Sequence, residues 1–167
     1  MEVLKSKIEA WDGIHMDHLK SIYIQFLNDP EFFNNITEWS SDINLQAAST
    51  WLIKHHYDSG EELNETQIDR LIGISSELVQ WEAQLHILQI LPKIEFATEQ
   101  LILIDDFARR CLKSENKFVR AWAYQGMFEL YKYSVVDKEE LRSLCEIAME
   151  TESASIKSKV RKIIANL

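Results

Sequence analysis

The sequence predicts an all-α protein built from repeated antiparallel helix pairs, and three observations carry that expectation. Four glycines and two prolines in 167 residues leave little chain for the tight turns of a β-fold. Apolar residues recur three and four apart along most of the chain, the period of a half-buried helix. Turn and cap signals separate these runs by short connections, so successive helices should lie antiparallel.

Taken in order, Val3–Trp11 forms a short first helix that breaks at Asp12-Gly13. Met16, Leu19, Ile22, Tyr23, Phe26 and Leu27 then mark one buried stripe. Asp29 is a good N-cap and Pro30 suits a first turn, which starts a helix over Glu31–Trp39. Asp42 caps Ile43–Tyr57, which ends near Gly60. Asn64 or Thr66 starts a helix through Val79, and Gln80–Ile94 follows with Pro92 near its end. Thr98 caps Glu99–Lys113, and Ser114 or Asn116 caps the helix to Tyr133. Asp137, with Glu140 three residues on, opens Lys138–Glu150, and Ser153 caps a last helix running nearly to Leu167.

Alternate helices align. Leu45, Trp81, Val119 and Ile156 form one column, spaced by 36, 38 and 37. Ser49, Leu85, Ala123 and Val160 form a second, and Ala47, Ala83, Ala121 and Ser158 a column of small residues. The first helices of each pair align through Ile68, Ile104 and Leu141, through Leu71, Phe107 and Leu144, and through Ser75, Cys111 and Ala148. A helix pair of this length cannot bury its apolar faces alone, so the pairs are expected to stack.

The stretch Phe118-Val119-Arg120-Ala121-Trp122-Ala123 resembles the second helix of a HEAT repeat, with Ile156-Lys157 a fair copy; Trp81-Glu82 and Leu45-Gln46 depart from the pattern. The resemblance covers the chain from about Asp42 to its end. It implies a right-handed α–α superhelix of about four HEAT-like antiparallel pairs with an extra N-terminal helix. On this reading residues 1–167 are one helical-repeat domain, with degenerate cap helices over 1–41 and regular repeats over 42–167.

In arrays of that kind the second helices commonly line a concave wall that serves as the binding surface. The polar stripe Glu82, His86, Gln89 and Lys93, carried onto the other second helices, adds Thr50 and Tyr57, then Arg120, Tyr124, Met127 and Tyr131, then Lys157 and Arg161. Tyrosine, arginine and methionine among long polar chains suit a protein-binding surface, although the default for any one of them is simply to face water. The five tryptophans are expected mostly in the core.

Composition narrows the functional classes. Hydrophobic residues at 46% and charged residues at 27% fit one globular chain with a sizeable core. No apolar run reaches the roughly 20 residues that cross a bilayer, and the amino terminus lacks the continuous apolar stretch of a secretory signal. Cys111 and Cys145 sit among apolar neighbours and are expected as buried, reduced thiols. A cytoplasmic protein without a membrane association is the expectation. A net charge of −9 argues against nucleic-acid partners. The charge is lopsided near the end: Asp137–Glu152 holds six acids against two bases, whereas Lys157, Lys159, Arg161 and Lys162 follow with no acid.

No chemistry stands out. His15 and His18 share a helix face and His55-His56 are neighbours, but no face collects three metal ligands. There is no glycine-rich phosphate loop or nucleophile elbow. The sequence therefore points to a non-catalytic adaptor or scaffold without cofactor or metal, gripping a protein or peptide on its concave face, with self-association through terminal helices as a further possibility. The competing expectation is a HEAT-like DNA-binding protein resembling the alkylpurine DNA glycosylases. Trp81 and Trp122 would suit that reading, but the faces near them supply no aspartate, and Asp105 and Asp106 belong to a first helix.

Overall fold

The computed structural model describes residues 2–167, and all regular structure among them is helical. Ten α-helices follow one another: α1 (Glu2–Glu9), α2 (Met16–Phe26), α3 (Phe32–Trp39), α4 (Gln46–Asp58), α5 (Glu65–Gly73), α6 (Trp81–Ile90), α7 (Thr98–Cys111), α8 (Lys117–Lys132), α9 (Lys138–Thr151) and α10 (Ala154–Ile164). Short 3-10 turns at Ser75–Glu77 and Leu91–Lys93 extend α5 and α6.

Three boundaries differ from the sequence expectation, each for a local reason. Asp42 uses its carboxylate on the Asn44 amide, forming a turn, so α4 begins at Gln46 rather than Ile43. α5 stops at Gly73, because that glycine and, beyond Ile74, Ser75 and Ser76 are weak helix formers. Ala97, not Thr98, is the N-cap of α7; it lacks an acceptor side chain, and Gln100 reaches back to its amide at 2.9 Å instead. Three expected caps form: Asn64 with Gln67, Asn116 with the Phe118 and Val119 amides, and Asp137 with the Glu140 amide. Ser153 stands at the start of α10 without a side-chain cap bond, and Glu31, not Asp29, is the N-cap of α3.

The chain divides into two compact units, Met1–Ile87 and Leu88–Leu167, with the division inside α6. In the first unit α3 packs on both α4 and α5, while α2 packs on α1 and α4. Asn34 of α3 accepts from Gln67 (3.0 Å) and, through its carbonyl, from Arg70 (2.9 Å) of α5. Two glutamines join the starts of α4 and α6. The Gln46 amide oxygen accepts from the Val79 and Gln80 amides, and its nitrogen donates to the Glu77 carbonyl. Gln80 reciprocates, accepting from Ala47 and donating to the Ile43 carbonyl. One turn on, Thr50 meets His86 at 3.0 Å, so the two helices start together and run the same way. In the second unit α8 packs on α7, α9 and α10, and α9 on α10.

A buried face recurs on α4, α6 and α8, but the expected columns fail on α6. Leu45, Ser49, Thr50, Leu52 and Ile53 are all buried, and the same pattern recurs at Val119, Ala123, Tyr124, Gly126 and Met127. On α6 it falls on Ala83, Ile87, Leu88, Ile90 and Leu91. Trp81, expected in line with Val119, is 42% exposed; Ala83 holds that place. The spacings are therefore 38, 36 and 37. The first-helix columns are largely interior, with Ile68 and Leu144 half-buried. The tryptophans are a second correction: Trp11, Trp39, Trp51 and Trp122 are half-buried and Trp81 exposed, none fully enclosed, because so large a side chain rarely fits wholly inside.

The helix ends repeat as well. After α4, Gly60 takes φ 86° and the Glu61 amide returns to the His56 carbonyl; after α8, Ser134 takes φ 60° and the Val135 amide returns to the Leu130 carbonyl. Both are Schellman caps, and they lie 74 residues apart, the same as Leu45 to Val119. Ser134 sits where glycine is free of steric cost. Ser134→Gly should raise stability by about 1 kcal/mol in urea unfolding. Gly126→Val should lower it by about 1–3 kcal/mol, because even a Cβ there lies 3.4 Å from Ala108 and Leu91 and 3.5 Å from Leu88.

Candidate functional site

The two-residue correction on α6 relocates the outward stripe. A helix turns about 100° per residue, so a slip of two carries a predicted face about 200° around, from solvent to core. That is the fate of several residues expected on the binding wall. Thr50, Tyr57, Tyr124 and Met127 are buried and present nothing to a partner. Thr50 bonds to the Gln46 carbonyl and to His86. Met127 and Tyr124 lie on the face that α8 turns inward.

Arg120 is half-buried and committed elsewhere. It holds Glu152 with two parallel bonds (2.8 and 3.0 Å) and donates to the Ser114 and Glu115 carbonyls. It is a clamp between the entry to α8 and the α9–α10 junction, and these bonds raise its pKa further. Tyr131 is half-buried, stacked on Phe128 at 6.1 Å. Lys157 is half-buried and reaches the Glu150 carbonyl, and Arg161 is exposed. On α6 and the turn after it the expectation fares better: Glu82, His86 and Gln89 are half-buried and Lys93 is exposed.

Carrying that α6 stripe forward by 36 and then 37 residues gives Phe118, Trp122 and Gln125 on α8, and Ser155, Lys159 and Lys162 on α10. These six are half-buried or exposed, whereas the fourth member, Lys93, carries to the buried Glu129. In the second unit these side chains meet. The Lys159 ammonium lies 3.3 Å from the centre of the Trp122 ring, and Lys117 lies over Phe118 at 5.2 Å. Glu129, the single carboxylate of α8, is buried and satisfied by Gln125 and Lys132, both at 2.7 Å. Burial against the indole, with Lys162 close by, holds Lys159 below the ordinary lysine value. These residues were missed because Phe118 and Trp122 read as core by residue type; only the corrected spacing exposes them.

In the first unit the corresponding surface of α4 carries Trp51 stacked on His55 at 4.9 Å. Tyr23 of α2 meets the edge of His55 and bonds to His56 at 2.9 Å, while the other His56 nitrogen faces the Glu62 carbonyl. All five histidines belong to this unit. Burial lowers the pKa of His55, His56 and His86, the last to about 4.

Cys111 and Cys145 are buried and free, and burial raises their pKa values to about 12 and 11. Thiols so protonated are poor nucleophiles. Among the described residues no group of three or more His, Cys, Asp or Glu is placed to hold a metal ion, and no helix is long and apolar enough to cross a membrane. Set against known proteins, the chain matches no family model, no curated protein and no solved structure.

His55, His56 and His86 make stability depend on pH. Their folded pKa values lie below the ordinary 6.5, so the unfolded chain binds protons first. Their contribution is intact above about pH 6.5 and is lost as pH falls through the window toward 4. The His86→Gln variant isolates one of them. Between pH 7 and pH 4.5 its stability should fall by about 2 kcal/mol less than that of the wild type, read from urea midpoints at the two pH values.

Proposed function

We propose that the chain is a HEAT-like helical-repeat protein that works as a non-catalytic binding module, gripping a protein or peptide on the outward faces of its second helices. The observation that carries this reading is the surface of α8 and α10, where Phe118, Trp122, Gln125, Lys159 and Lys162 are gathered without a built reaction centre. Aromatic rings beside long polar chains, on rigid helices, are the usual material of an interface hot spot. Little ordering cost attends binding to a preformed surface.

The repeat supports the HEAT-like assignment within each unit. α4 and α6 start together and run the same way, and α8 packs on α10. Such pairs belong to the right-handed superhelical class of repeat folds.

The test is affinity capture from a native lysate with the full chain as bait. The wild type should retain a reproducible protein partner. Phe118→Ala with Trp122→Ala should weaken that retention by at least about tenfold, with helical content and melting checked alongside. Retention of nucleic acid alone, or of a partner indifferent to both changes, would reject the reading.

A further inference from the structure

The net charge of the chain is not shared between its units. Residues 1–87 hold fifteen acids and five bases, a net of −10; residues 88–167 hold twelve acids and thirteen bases, a net of +1. Within the second unit the imbalance sharpens again at the face described above. α10 has no acid, and the only acid of α8 is the buried Glu129. Lys159 and Lys162 make no ion pair among the described residues, and Lys117 and Lys132 stand on the same side of α8.

We propose that the α8–α10 face of the second unit docks an acidic protein segment with an apolar anchor, carboxylates meeting Lys159 and Lys162 and the anchor meeting Phe118 and Trp122. This rests on the binding-module reading and names the chemistry of its partner. Charge complementarity is the first argument: cations on a face cleared of exposed carboxylates favour an anionic visitor and repel a basic one. Spacing is the second. Lys159 and Lys162 are three apart on α10 and so are neighbours on its surface, the arrangement that two nearby acidic side chains can meet together.

The aromatic residues favour a peptide over a nucleic acid. Lysines already roof one face of the Trp122 and Phe118 rings, so a base stacking there would have to displace a cation, whereas a carboxylate can pair with the same ammonium. Phe118 is 53% exposed, leaving its edge to receive an apolar anchor. Lys159 is also poised for an anion. Its burial and its neighbour Lys162 both disfavour the charged ammonium, and an incoming carboxylate offsets that cost.

Fluorescence anisotropy with the full chain tests the inference, using a labelled short peptide of glutamates flanking a Leu-Phe anchor. Binding should be saturable and weaken as salt is raised. Replacing the peptide glutamates by glutamine should weaken it by about tenfold, as should Lys159→Glu with Lys162→Glu. Lys162→Glu alone, at an exposed position, should give a smaller loss in the same direction and guards against misfolding of the double variant. Equal binding of the glutamine peptide, indifference of a folded charge-reversed variant, or tighter binding of oligothymidylate at the same lysines would overturn the proposal. So would a lysate partner lost with Phe118→Ala and Trp122→Ala but kept by the charge-reversed variant; that outcome would leave the broader binding-module reading standing.

Discussion

Every second helix must bury the same side, and five positions define that side: a first residue and those four, five, seven and eight further on. On α4, α6 and α8 all of them are interior. Size is traded along the columns: Leu52, Ile90 and Gly126 fall in one, Ile53, Leu91 and Met127 in another. Gly126 is where this constraint binds hardest, since α8 comes close to α7 and to the turn after α6 through that missing side chain. Polar residues enter the columns at a cost unless they find partners: Thr50 bonds to its own helix and His86, whereas the buried Ser49 hydroxyl has none. A buried hydroxyl without such partners would cost on the order of 1–3 kcal/mol.

Such a constraint is also what made most of the fold legible. Ten helices follow from periodicity and caps because both are local: Asn64, Asn116 and Asp137 act within three residues of themselves. The stripe was less legible because it depends on the angular position of one helix relative to its equivalents. Trp81 and Val119 look alike in an apolar profile, yet one is exposed at a helix start and the other is enclosed. Two residues of slip there placed Tyr124 and Met127 on the wall and Trp122 in the core. Burial separates the two alignments at once.

Arg120 shows a different limit of sequence reading. Its type and position suggested an interface arginine, and the guanidinium does what guanidinium does best, engaging a carboxylate in a two-pronged grip. The carboxylate is Glu152 of the same chain. Whether an arginine recognises a partner or fastens its own loop is decided by a residue 32 positions away, which no local pattern contains. Arg109 repeats the lesson, joining Asp105 of its own helix to Glu140 of α9.

Charge carries information that the whole-chain total conceals. A net of −9 argues against anionic partners only if the charge is spread evenly, and a surface field is felt over about 8–10 Å at ordinary ionic strength. At that range the face of α8 and α10 is governed by its own lysines and by the missing carboxylates of α10. The same locality separates the two kinds of ionisable cluster in the molecule. The lysines of the second unit lie at the surface, where a partner can pair with them. The histidines around Tyr23 and Thr50 are held neutral by burial, so their protonation registers as a loss of folding stability.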